Sequence, residues 1–268
     1  MSTHHPGPEW HGRKVLITGG TSGTGLEAAR QMVTQGAQVV VVGRDTGRGA
    51  AACEELQRLA DAGGGAHLAI GDCASYDDSA RVVAEAVATL GTLDALISAG
   101  ATGEGDPKPF ADMSPNEIER GLATRFLARV QPVHAAIPHL RDRESASVVL
   151  LTTDAARHAT RGESIIGAYA ASIIAFTKTL ARELASDKVR VNSVSMTLTS
   201  GTKSWDHIFN EDSYQHDLFS KALDRFPLGA APTAREVADA VVFLASPRAA
   251  QVTGQTLSVN GGLSFGGW

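Results

Sequence analysis

Thr18-Gly19-Gly20-Thr21-Ser22-Gly23-Thr24-Gly25 stands between a β-branched run, Lys14–Thr18, and an amphipathic stretch over 26–35. Glycines at that spacing let the backbone turn tightly out of a strand and approach a phosphate. A helix starting at the same point adds free N–H groups and a partial positive charge. A merely tight strand-to-helix turn needs no such trio of glycines. The spacing therefore predicts a dinucleotide-binding turn in which Thr18, Gly19, Thr21, Ser22, Gly23, Thr24 and Gly25 cradle the phosphates.

Outward from this turn the chain alternates short apolar runs with longer amphipathic ones. Strands are expected over 39–42, 66–70, 95–97, 147–151, 190–194 and 256–259, and helices over 54–62, 79–90, 114–140, 167–186 and 236–245. Near-continuous Val/Ile/Leu runs belong to strands buried on both faces, as in a parallel sheet. Strict alternation gives an α/β, doubly wound layer structure. An irregular stretch over about 199–232, holding Trp205, Phe209, Tyr214, Phe219 and Phe226, is expected to cover the site as a C-terminal lid. Residues 1–10 lack an apolar signal core and are expected to be a flexible tail, leaving one domain over 11–268.

Composition narrows the classes. The chain has 268 residues, 28 of them glycine, with 43% hydrophobic and 5% aromatic residues. Its net charge of −5 offers no basic excess for phosphate backbones, so no nucleic-acid partner is expected. Two cysteines, Cys53 and Cys73, make neither a disulfide framework nor a zinc site, which fits a cytoplasmic protein. No apolar run is expected to reach the roughly 18–20 residues of a bilayer span, so no membrane role is expected. The histidines have no metal-ligand spacing, and no metal is expected.

Thr18 followed by Gly19-x-x-x-Gly23-x-Gly25 resembles the short-chain dehydrogenase/reductase (SDR) family, and the similarity runs over nearly the whole chain. Asp72 after the third strand, Asn192 in Val191-Asn192-Ser193-Val194, and the closing Thr253-Gly254-Gln255 and Asn260-Gly261-Gly262 also match. The resemblance implies a Rossmann-type fold, an NAD(P)-dependent oxidoreductase ancestry and a tetramer. It also implies that Asp72 contacts adenine and that Ala99 and Gly100 line the cofactor site. An NAD-type site wants an acidic residue after the second strand. Here Gly43-Arg44 stands there, and a guanidinium suits a 2′-phosphate, which favours NADP(H) over NAD(H).

The family's chemistry rests on an Asn, a Ser and a Tyr-x-x-x-Lys pair, and here the pattern breaks. Thr153 falls at the serine position and Arg125 at the asparagine position. An ungapped register puts Ile166 and Ala170 at the tyrosine and lysine positions, and neither side chain moves a proton. Tyr169, three residues on, offers a substitute phenol but still lacks its lysine, because Ile173 follows it at the required distance. A buried guanidinium at Arg125 needs an anion, either Asp154 or a bound carboxylate or phosphate. Asn-Asn-Ala-Gly is reduced to Ile97-Ser98-Ala99-Gly100, and Met196-Thr197 replaces Pro-Gly.

Three functions fit these losses. The leading one is a non-catalytic subunit, a pseudoenzyme paired with an intact SDR chain in a hetero-oligomeric dehydrogenase. The second is a repurposed, non-redox enzyme using Arg125, Thr153, Asp154 and Tyr169. The third is an active NADP(H)-dependent ketone reductase or alcohol dehydrogenase with an unusual relay through Tyr169 or water. Asp154-Ala155-Ala156-Arg157 with Gly162-Glu163 and Lys108-Pro109-Phe110 resembles SDRs acting on hydroxyacyl-CoA substrates. A small-molecule or acyl-CoA substrate, a homo- or hetero-tetramer, and NADP(H) or no cofactor at all are thus the expectations carried forward.

Overall fold

A computed structural model describes residues 9–61, 63–100, 107–141, 143–209 and 214–265. The strands are β1 (Lys14–Thr18), β2 (Gln38–Gly43), β3 (Gly65–Ile70), β4 (Ala95–Ser98), β5 (Ser147–Thr153), β6 (Arg190–Met196) and β7 (Thr256–Val259). They form one seven-stranded sheet in the order β3-β2-β1-β4-β5-β6-β7. Every pairing is parallel. This is a Rossmann-type fold, as the alternation predicts. Strand order reverses between β1 and β4, where Thr18 lies beside Ser98, and such switch points are where α/β sheets hold ligands.

Side chains alternate across each strand, so neighbours on β1 enter different cores. Val15 and Ile17 join Ala28, Ala29 and Met32 of α1 (Gly23–Val33) and Val237, Ala238 and Val241 of α8 (Ala234–Ala245). Leu56 of α2 (Thr46–Leu59) completes that layer. Leu16 joins the opposite layer, built by α3 (Tyr76–Leu90), α4 (Pro115–Leu140) and α5 (Ser164–Glu183). Helix α4 opens with a capping box, Ser114 and Glu117. It then carries Pro132 and Pro138 in its interior. Each proline removes one backbone donor from the helix ladder.

Three expectations are corrected. Trp10 is not tail: it is fully buried in the α1/α8 layer, with the Arg13 guanidinium 5.8 Å from its ring centre. Residues 1–8 lie outside the described residues. The stretch over 199–232 is not irregular: it holds α6 (Lys203–Phe209) and α7 (Tyr214–Leu223), and residues 210–213 between them are not described. Leu198, Ile208, Phe219 and Phe226 give it a small core of its own, and its ends meet in a bridge between Ser200 and Thr233. Finally, α5 is long and apolar enough to cross a membrane, with a mean hydropathy of 1.4 over its apolar window. Its apolarity is used inside the protein, where Ile173, Ala170 and Leu180 pack in the α3/α4/α5 layer.

Candidate functional site

The first half of the site is made by backbone. Gly19 has φ +70° and lies so close to the β4 end that a Cβ there would meet the Gly100 nitrogen at 2.7 Å. A Cβ on Gly25 would run into the Gly19 carbonyl oxygen. Both positions require glycine, and together they fold the turn flat against the switch point. Helix α1 then begins without a cap: Ser22 makes no side-chain bond to it, and its first turn holds no acidic residue. By contrast Asp45, Ser75, Ser114 and Thr233 cap α2, α3, α4 and α8 with their side chains. The N–H groups left open at α1 fit a phosphate.

This turn floors a cleft of about 630 Å³. Gly19, Thr21, Ser22, Arg44, Asp72 and Gly100 line it, while Ala99 lines the cavity next door. Thr18 and Thr24 lie beneath the turn, buried, with no hydrogen-bond partner for either hydroxyl among the described residues. Gly23 faces the lid, where a Cβ would touch Thr202 at 3.4 Å. At the ribose end Arg44 stands 4.0 Å from the Asp72 carboxylate. Arg48, which sequence reasoning missed, joins the lining from the first turn of α2 and is 3.8 Å from Asp45. Its signal was the spacing: four residues after Arg44, across a helix start. An open helix terminus and a glycine cradle fit a dinucleotide's phosphates, with two guanidiniums at the ribose end.

The second half is made by side chains. A cavity of about 340 Å³ is walled by Thr153 at the end of β5, Ile166 and Tyr169 of α5, Arg125 and Arg129 of α4, and Trp205 of the lid. Ile166 presents only hydrocarbon. Ala170 is not on the wall but fully buried behind it, its carbonyl accepting a bond from the Thr152 hydroxyl. Tyr169 reaches the cavity with its ring flanked by both guanidiniums, Arg125 and Arg129 each 5.5 Å from the ring centre.

Arg129 was not foreseen. It is 6% exposed, and Nε donates to the Leu151 carbonyl at 2.6 Å while Nη1 donates to the Arg125 carbonyl at 2.7 Å. Its own carbonyl accepts the Ser98 hydroxyl at 2.9 Å, so the residue braces α4 against β4 and β5. Burial pushes its pKa down, opposed by the nearby Tyr169. A second cationic residue four positions after Arg125, on the same face of α4, was the available signal.

Asp154 is not positioned as the counterion of Arg125. Its Oδ1 accepts from Ser195 at 2.6 Å and Ser258 at 3.1 Å, and its Oδ2 from Ser264 at 2.8 Å and from Asn260. It ties the ends of β5, β6 and β7 together. Among the described residues a carboxyl that does feel Arg125 is Glu163, just before α5 on the cavity wall, and burial pushes its pKa up. Asn192 is likewise structural: it bonds the Val252 carbonyl and the Gln255 nitrogen, fixing the approach to β7. Among the described residues no group of three His, Cys, Asp or Glu side chains is placed to hold a metal. The two cavities share Arg125, Ser204 and His207 as walls, so the cleft and the lidded cavity are adjoining chambers of one site.

Fold and site together define a nucleotide-binding α/β protein of the doubly wound type. A family model described as Enoyl-(Acyl carrier protein) reductase matches residues 19–264. Glucose 1-dehydrogenase of Gluconobacter oxydans is 30% identical over 262 residues, covering 96% of this chain and 93% of that protein. The 3-oxoacyl-(acyl-carrier-protein) reductase of Vibrio harveyi is 31% identical over 255 residues, covering 94% and 97%. Among solved structures, the NADPH-bound short-chain oxidoreductase of Pseudomonas aeruginosa PAO1, described as containing an atypical catalytic center, superposes with TM-score 0.87 at 27% identity, covering 96% and 99%. The chain belongs to the short-chain dehydrogenase/reductase family.

Proposed function

We propose that the protein is an NADP(H)-dependent oxidoreductase interconverting a carbonyl and an alcohol in the lidded cavity, with Tyr169 moving the proton. The observation that carries this reading is the continuity of the two chambers through Arg125, Ser204 and His207. A subunit kept only for its surfaces has no need of a nucleotide cleft adjoining a polar-edged cavity. The retained oxidoreductase relatives and the NADPH-bound neighbour with an atypical centre lend further support.

Arg44 and Arg48 would hold a 2′-phosphate, and the open start of α1 the pyrophosphate. A reduced nicotinamide bound there would supply the hydride that the carbonyl carbon takes up. Thr153 positions the carbonyl oxygen through its hydroxyl, and Tyr169 delivers the proton that this oxygen takes up. Arg125 and Arg129 stabilise the phenolate left behind, a task for which a buried positive charge is suited. The trio Trp205, Ile208 and Phe219 shields the exchange from water. We place the protein in the cytoplasm, as an oligomer of SDR chains.

The second reading, a non-catalytic partner of an intact SDR chain, draws on Ile166 and Ala170 at the family's tyrosine and lysine positions. Calorimetry with NADPH and NADH, followed by turnover of a carbonyl panel, separates the two. The oxidoreductase is expected to bind NADPH more tightly than NADH, a preference that Arg44→Ala abolishes. Tyr169→Phe should lower kcat by roughly 100-fold or more. Tight NADPH binding with turnover only after mixing with an intact SDR chain would establish the non-catalytic subunit instead.

A further inference from the structure

The lidded cavity holds more positive charge than its chemistry with Tyr169 alone explains. Its lining includes Arg125, Arg129 and Arg225 in a chain whose net charge is −5. Among the described residues two carboxyls face them, and neither answers Arg129. Asp154 is committed to Ser195, Ser258, Asn260 and Ser264. Glu163 sits with Thr160 and feels Arg125, and burial favours its neutral form. Arg129 itself, almost wholly buried, is bonded to two neutral carbonyls, and no described carboxylate acts on it. Carbonyl partners satisfy a buried guanidinium's hydrogens without balancing its charge, as at Arg190 of β6, which is sealed in the core; Arg129 differs in facing a cavity, where an anion can supply that balance.

That anion is not a phosphate of the dinucleotide. Arg129 lines the lidded cavity and is absent from the lining of the nucleotide cleft, whereas Arg125 lines both. The wall beside it points the same way: α5 begins at Glu163 with no side-chain cap, on the cavity's edge. We propose that the lidded cavity takes a small oxo or hydroxy acid, whose carboxylate is held by Arg129 while its reacting carbon faces the nucleotide cleft. This rests on the oxidoreductase reading for calling the acid a substrate, but the binding itself is independent of turnover.

The test compares acids with their own neutral amides. Pyruvate, acetoacetate, 4-oxopentanoate and phenylglyoxylate, each paired with its amide, are titrated calorimetrically into the protein with and without saturating NADPH. At least one acid is expected to bind ~10-fold or more tightly than its amide, as a buried charge-assisted bond implies. The preference should fall to about twofold or less in Arg129→Met, whose apolar side chain has a similar reach. If that variant does not fold, Arg129→Lys is expected to keep a weakened preference, since it retains charge without the fork. Equal binding of every pair, no binding of any acid, or a preference unchanged in these variants overturns the proposal and assigns Arg129 to Tyr169 alone. Acid preference without any turnover sinks the oxidoreductase reading and leaves this one standing; turnover without acid preference does the reverse.

Discussion

The two chambers solve the same problem, holding a polar ligand inside an α/β protein, with different materials. The nucleotide cleft is built from backbone: Gly19 and Gly25 packed onto neighbouring main chain, and the uncapped start of α1. The lidded cavity is built from side chains contributed by α4, β5, α5 and the lid. Main-chain geometry tolerates few alternatives, because any Cβ at Gly25 collides with fixed backbone. Side-chain functions can be moved. The phenol absent from Ile166 is offered by Tyr169, and a positive charge absent from Ala170 on α5 is present at Arg129 on α4, against that substitute phenol. One chamber therefore keeps its family's residues, and the other keeps only the kinds of group.

The sharpest way to break this contrast is to restore the family's residues. Ala170→Lys places a charge in a fully buried position off the cavity wall. It should destabilise the protein by about 3–5 kcal/mol in denaturant unfolding. Ile166→Tyr replaces a wall residue and should be tolerated within about 1.5 kcal/mol. If both were tolerated and together gave faster turnover, the charge had not moved to α4. On the backbone side, Gly25→Ala should cost about 3 kcal/mol and remove NADPH binding, since neither colliding atom can give way. An alanine accepted there without loss would mean that the turn is not held as described.

The smallest effect is set by pH. Burial raises the Glu163 pKa above its ordinary 4.5, so the folded protein holds that proton more tightly than the unfolded chain. Its contribution to stability is full below the ordinary value and is lost as pH rises through the raised one. The Tm of Glu163→Gln should therefore gain on the wild type across that window and run parallel to it above. A difference between the two proteins that stays constant across that window would place Glu163 in solvent, outside the chamber.

Much of this was legible in the residues, and what was not follows the same division. All seven strands were readable, because runs such as Gln38–Gly43 are apolar on both faces. Helix α1 begins at Gly23 rather than 26, and α2 at Thr46 rather than 54. In both, glycines with poor helix propensity sit in the first turns, and other interactions override them. Trp10 was misread because nothing local marks a residue whose burial depends on α1 and α8, distant in sequence. Gly19, Ser22, Arg44 and Asp72, expected from their positions, line the cleft. Arg129 was not foreseen, because a cation placed on another helix leaves no mark where the family pattern is searched.

Helix α4 carries Pro132 three residues beyond Arg129, and the proline leaves one rung of the helix ladder without its donor. Before that rung lie both cavity arginines; after it Val133, Ala136 and Leu140 are anchored in the core. The missing bond falls where the part that carries the two guanidiniums joins the part that is anchored. Substitutions on the outer surface of the N-terminal part are therefore a way to shift the guanidiniums without touching the cavity wall.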